Sequence, residues 1–224
     1  MPNSAPNFDQ ARKNMVDCQI LTNGVVHEGL IEAFETVPRE LFVPENYKGI
    51  AYFDEEIDLG KGRTLLEPLI LSKMLEAADL KESDVVLDIA GATGYGAAIL
   101  APNVSTVIAL ESNDQHLKDA EKNWTDLELC NIVPVHGRPK DGAADKGPYD
   151  LIIMHGAVPE IPTNIASQLN QNGRMLCIIK KLGDRIGKAT LVQALGANQF
   201  SSYTLFECGA EYIEGFAPKP AFSF

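Results

Sequence analysis

Val85-Val86-Leu87-Asp88-Ile89-Ala90-Gly91-Ala92-Thr93-Gly94-Tyr95-Gly96-Ala97-Ala98 is the segment around which the chain is organised. Val85 to Ile89 is a short apolar run rich in β-branched residues, the pattern of a strand buried on both faces in a parallel sheet. Small residues follow, and then Tyr95 to Leu100, which has helical composition. Strand, tight turn and helix in that order form the nucleotide-binding corner of a doubly wound α/β sheet. Small side chains let a ligand approach the backbone, and the helix N-terminus points free N–H groups and the positive end of its dipole at it.

The glycines Gly91, Gly94 and Gly96 do not fit the G-x-G-x-x-G spacing of a dinucleotide fingerprint. No GK[ST] is present, which excludes a P-loop. The pattern is closer to the acidic-x-G-x-G-x-G turn of S-adenosylmethionine (SAM) methyltransferases. Asp88 supplies the acid, and Ala90, Ala92 and Gly94 stand at the three glycine positions, with Gly91 and Thr93 between them. Thr106 to Leu110 reads as the next strand and ends in Glu111, 23 residues after Asp88. A carboxylate at that tip accepts hydrogen bonds from both ribose hydroxyls. The alternative is a corner whose acids only cap helices. SAM binding is favoured, because open α/β sheets take ligands at this switch point.

At 224 residues and 45% hydrophobic, the chain suits one large domain with an elaboration. No apolar run approaches the ~20 residues of a membrane span, and the N-terminus carries no apolar signal segment. A net charge of -12 argues against nucleic acid as a partner. Cys18, Cys130, Cys177 and Cys208 lack metal or CxxC spacing and read as buried thiols in a reducing cytoplasm. Nothing in the sequence speaks to oligomeric state.

Residues 1–9 read as a loose arm. Helices are expected from Gln10 to Leu21, from Val26 to Thr36, and from Glu67-Pro68 to Ala78, with Gly60-Lys61-Gly62-Arg63-Thr64 as a turn. Residues 1–80 are therefore expected to form a helical cap and residues 81–224 the sheet-bearing core. In the core, strands follow at Ile132–Val135, Leu151–Met154 and Met175–Ile179, with two more near Thr190–Ala194 and Tyr203–Glu207. A helix from Pro162 to Leu169 should stop at Asn172-Gly173.

Several strings resemble the protein-L-isoaspartate O-methyltransferase family. They include Asn14-Met15-Val16-Asp17-Cys18-Gln19-Ile20, Val37-Pro38-Arg39-Glu40-Leu41-Phe42-Val43-Pro44, Gly60-Lys61-Gly62-Arg63-Thr64-Leu65-Leu66-Glu67-Pro68, Thr93-Gly94-Tyr95 and Ala157-Val158-Pro159-Glu160-Ile161-Pro162. The resemblance implies a class I SAM-methyltransferase (Rossmann-like) doubly wound, mostly parallel sheet with an N-terminal helical cap. It implies a cytosolic repair enzyme that methyl-esterifies the α-carboxyl of isoaspartyl residues in damaged proteins. SAM would be held by Asp88, Ala90, Gly91, Ala92, Thr93, Gly94, Glu111, Ser112, Gly137 and Arg138. Three positions depart from the family pattern. Leu66 stands where the family has a serine near the acceptor carboxylate, Gly137-Arg138 replaces a Gly-Asp pair near the adenine, and His155 follows the fourth strand where small residues are usual. Leu66 keeps two other readings open, a same-fold methyltransferase for a different acceptor, such as a small carboxylate, and a non-catalytic SAM-binding or interaction protein.

Methyl transfer to an ionised carboxylate needs no general base, so the absence of a nucleophile–histidine pairing fits this chemistry. The candidate catalytic positions are Thr64, Leu66 and His155. Thr64 either contacts the acceptor or holds the turn. His155 either lines the acceptor pocket or acts as a base for a less acidic nucleophile, or it bonds backbone at a strand end, the last being favoured. Arg63 and Arg138 read as solvated charges rather than acceptor ligands. His27, His116 and His136 show no metal spacing.

Overall fold

The computed structural model describes residues 7–196 and 199–218. The arm expected before Gln10 thus lies mostly outside the described residues, and Phe8 and Asp9 already belong to the first helix. That helix, α1 (Phe8–Met15), is capped by Asn7, whose side chain accepts from the Gln10 N–H at 3.1 Å. It continues through a π-turn at Val16–Ile20 and a 3₁₀ turn at Leu21–Asn23, and Gly24 ends it at φ +84°. α2 (Glu28–Thr36) starts later than expected because the His27 ring accepts from the Leu30 N–H and caps it.

The cap also contains strands. β1 (Ile57–Gly60) and β2 (Arg63–Leu65) pair antiparallel, joined by a turn in which Gly60, Lys61 and Gly62 all take positive φ. Strands this short carry too few residues to show an alternating pattern. α3 (Pro68–Ala77) follows with proline in its first turn.

From there strands and helices alternate: β3 (Val85–Ile89), α4 (Tyr95–Leu100), β4 (Thr106–Glu111), α5 (Asp114–Asp126), β5 (Ile132–His136), β6 (Tyr149–Val158), α6 (Thr163–Ala166) and β7 (Leu169–Ile179). β8 (Gly187–Gly196) and β9 (Gln199–Cys208) complete a seven-stranded sheet in the order β5-β4-β3-β6-β7-β8-β9. The strands from β5 to β7 pair parallel, and β8 and β9 are antiparallel additions. Chain order reverses at β3, which makes the crevice over β3, β4 and β6 the switch point.

One expected helix nearly vanishes. α6 is four residues long, and Leu169 already begins β7, so Asn172-Gly173 lies inside a strand instead of ending a helix. Asn172 takes φ +67°, and the pairing register slips between Tyr149/Leu169 and Leu151/Arg174. The Asn-Gly pair there marks an irregularity in the strand.

Strand alternation feeds two apolar clusters. Val86, Leu151, Ile153 and Leu176 join Met15, Phe34, Leu66 and Leu71 of the cap on one face. Leu87, Ile89, Ile152 and Met154 pack with Ile165 and Ile213 on the other. Residues of the cap and of the sheet therefore share one core. Of the thiols expected to be buried, Cys177 and Cys208 are, while Cys18 and Cys130 are exposed. No helix among the described residues is long and apolar enough to cross a membrane.

After β9 the chain turns back as a strap over the carboxyl ends of the strands. The Ala157 N–H donates to Glu211 O at 2.8 Å, and the Ile213 N–H returns to Ala157 O at 3.0 Å. The Tyr212 hydroxyl donates to Lys180 O at 2.8 Å, and Lys180 Nζ donates to Ala210 O at 3.1 Å.

Candidate functional site

Ala90, Ala92 and Gly94 take φ of +62°, +50° and +88°. The turn thus keeps the left-handed backbone of an acidic-x-G-x-G-x-G corner although two of its residues are alanine, at about 1–2 kcal/mol for each. Gly91 packs against Asp88 so closely that a Cβ there would stand 2.3 Å from Asp88 Oδ1. The Thr93 hydroxyl donates to Phe42 O at 2.5 Å, which ties the turn to the cap. From α5, Trp124 Nε1–H donates to Gly94 O at 2.9 Å.

Glu111 ends β4 inside this corner, with its side chain 3% exposed. Its carboxylate accepts backbone N–H bonds from Ala92 at 3.2 Å, Ser112 at 2.7 Å and Asn113 at 2.9 Å. Arg63 faces it from β2. The arginine is buried and paired with Glu111, which corrects its reading as a solvated charge. Burial alone would raise the Glu111 pKa. The hydrogen bonds and charge of Arg63, with the Asn113 and Ser112 N–H groups, outweigh that and hold the carboxyl below its ordinary range.

His155 lies on β6 at a bulge, where Met154, His155 and Gly156 face one residue of β7. Gly156 has φ +155°, and a Cβ there would stand 2.8 Å from Ile213 Cγ1 of the strap. The bulge brings His155 Nε2 to 2.7 Å from Asp88 Oδ2, so its partner is a carboxylate and not the backbone expected. The ring covers Gly96, where a Cβ would be 2.2 Å from His155 Cε1.

Asp88, Ala90, Gly91, Ala92, Thr93, Gly94, Glu111, Ser112, His155 and Arg63 therefore meet around the corner. The Gly137 N–H donates to Glu111 O at 3.0 Å, at the same strand ends. Arg138 is exposed and pairs with Asp141 at 2.6 Å. Thr64 donates to Glu56 across the hairpin base, a local bond. The Leu66 side chain is 1% exposed within the cap cluster, and its carbonyl accepts from Arg39 Nη2 at 2.7 Å. No group of three or more metal-type ligands occurs among the described residues. Two contributors went unread in the sequence. Trp124 could have been found as the only tryptophan, on the buried side of α5, whereas nothing marked Glu214 on the strap.

The donor types suit a nucleoside: two carboxylates at adjacent strand ends and a backbone open to close approach. The space does not. Between Asp88, Gly91, Gly94, Glu111 and Trp124 the cavity measures about 10 Å³, room for about one water on the ~10–15 Å³ that a single water needs.

The protein-L-isoaspartate(D-aspartate) O-methyltransferase family model matches residues 10–202. A protein-L-isoaspartate O-methyltransferase of Koribacter versatilis is 34% identical over 75% of this chain and 76% of its own length. One of Petrotoga mobilis is 33% identical over 84% of this chain and 89% of its own. A solved protein-L-isoaspartate O-methyltransferase superposes with a TM-score of 0.80 at 26% identity, over 91% of this chain and 66% of that one. A second, described as a putative enzyme of the same name from Plasmodium falciparum in complex with S-adenosyl-L-homocysteine, gives 0.75 at 17% identity, over 94% and 99%, and speaks for the fold.

Proposed function

The chain belongs to the protein-L-isoaspartate(D-aspartate) O-methyltransferase family, and on that premise we propose that it uses SAM to methylate the α-carboxyl of isoaspartyl residues in damaged proteins. The observation that carries the reading is the extent of the match. Residues 10–202 take in the cap strings and the β3–α4 corner together, so both the acceptor side and the cofactor side are included. SAM supplies an activated methyl group, and the acceptor carboxylate is already ionised at neutral pH.

The chain's own residues then have to bind, orient and exclude water. In this reading Glu111 takes the ribose hydroxyls. Asp88 and the turn from Ala90 to Gly94 hold the amino-acid end, and Ser112, Gly137 and Arg138 border the base. Thr64 and His155 flank the acceptor. The cytoplasm is the compartment we assign, supported by four free thiols. The net charge of -12 favours a protein substrate over nucleic acid.

Leu66 supports a second reading, in which fold and cofactor persist and the acceptor is a different carboxylate. An apolar, buried side chain offers no donor where the family pattern has a serine. Methyl transfer from labelled SAM to an isoaspartyl peptide, beside its aspartyl counterpart, separates the two. Label in the isoaspartyl peptide alone is expected. Label in neither, from a folded protein that binds SAM, rejects the isoaspartyl acceptor.

A further inference from the structure

The carboxylate assigned to the ribose already has a partner inside the chain. Arg63 reaches from the hairpin with its side chain 2% exposed and grips Glu111 with two prongs. Nε donates to Oε2 at 3.0 Å and Nη2 to Oε1 at 2.9 Å. The same Nη2 donates to Ser112 Oγ at 2.8 Å. With the three backbone N–H groups, five N–H bonds converge on a carboxylate that offers about four lone-pair positions. A ribose diol would find none free.

The strap closes the arrangement from above. Ser112 Oγ lies 3.1 Å from Glu214 Oε2, and Arg63 Nη2 lies 3.5 Å from the same oxygen. The guanidinium thus sits between a buried carboxylate of the sheet and an exposed one of the strap. On the other side of the corner His155 occupies the space between Asp88 and Gly96.

We infer that Arg63 is an internal competitor for the cofactor's ribose site, holding the cleft shut until the hairpin withdraws it. This rests on the reading that Glu111 is the ribose ligand of a SAM site. The tip of the hairpin has open space around it. Gly60, Lys61 and Gly62 all take positive φ, and no heavy atom lies within 4 Å of a Cβ placed on either glycine. A guanidinium leaving this cleft enters water, and Glu111, which keeps its three backbone N–H bonds, is left with about one lone-pair position, on Oε2, for a ribose hydroxyl. Affinity for SAM is therefore set by competition with a side chain, and removing a charged residue from the site raises it.

The test is calorimetric titration of S-adenosyl-L-homocysteine into wild type, Arg63→Gln and Glu214→Ala, with Trp124 emission as a second readout of the Gly94 turn. Circular dichroism checks that each variant is folded. Arg63→Gln is expected to bind at least about tenfold more tightly than wild type, the scale of a lost charge-assisted pair. Glu214→Ala, which changes only an exposed side chain and leaves Glu111 paired, is expected to gain about two- to fivefold. If Arg63→Gln does not fold, the gain or its absence in Glu214→Ala decides. Equal or weaker binding by the variants, with wild type binding well, overturns the competitor and leaves the SAM reading intact. No binding by any of the three at millimolar ligand overturns both. Tighter binding by Arg63→Gln without methylation of an isoaspartyl peptide upholds the competitor and overturns the acceptor.

Discussion

Gly94→Ala tests the corner at its tightest point. Gly94 sits at φ +88°, so any Cβ there incurs the left-handed cost of about 1–2 kcal/mol. The new methyl would also stand 2.4 Å from Trp124 Cζ2 and 2.6 Å from its Nε1. The indole cannot yield freely, because it is 3% exposed and held by its bond to Gly94 O. Forcing it aside costs about 1 kcal/mol for that bond and about 1–3 kcal/mol for overpacking. The expected loss is about 3–6 kcal/mol, or a fall in Tm of roughly 6–24 °C for a chain of this size. Trp124 is the only tryptophan, so urea unfolding followed by its emission and by far-UV circular dichroism reads both stability and the local shift. The native emission should move to the red. Adding Trp124→Leu should recover part of the loss, with a coupling of about 1 kcal/mol or more. A loss under about 1 kcal/mol with unchanged native emission would refute the clash and the turn geometry on which the site rests.

Leu66→Ser should cost about 2–5 kcal/mol in denaturant unfolding, because the leucine is buried in the cap cluster; a cost near zero would place it outside the core. Cys18 and Cys130 should react quickly with a thiol reagent in the native protein. Cys177, whose thiol burial pushes up to about 12, and Cys208, pushed to about 11 chiefly by burial, should react only on unfolding. Four fast thiols would contradict the packing of β7 and β9. Glu111 has a folded pKa below its unfolded value of about 4.3, so its stabilisation is present above that value and is lost as pH falls through the folded one. The wild type should therefore lose more stability than Glu111→Gln as pH drops below about 4; parallel curves would show that the Arg63 pair contributes nothing.

The apolar runs at β3 and β4, each with a carboxylate in its last two residues, were legible because a parallel strand buried on both faces leaves little room for other residue types. Asp88 and Glu111 could be placed from those strand ends alone. The hairpin was not legible, since its strands are three and four residues long. Arg63 was misjudged for a different reason. Its charge looks solvated in any local window, and its partner lies 48 residues away on another element. His155 shows the same limit, because the bulge that turns it towards Asp88 packs at Gly156 against the strap, more than 50 residues further along the chain. The short α6 failed on a turn signal, Asn172-Gly173, that serves a strand irregularity as well as a helix end.

The core shared by cap and sheet has a consequence for how the protein is made. Met15 and Cys208 belong to one apolar cluster although 193 residues separate them, and Lys73 of α3 lies 4.4 Å from the ring centre of Phe206 on β9. At ~5–20 residues per second a ribosome takes roughly 10–40 s to deliver the second partner after the first. Until then the cluster that holds the apolar sides of α1 and α3 lacks the part supplied by β9. The newborn chain should thus acquire its protease resistance in one late step, after β9 emerges, and not gradually from the N-terminus.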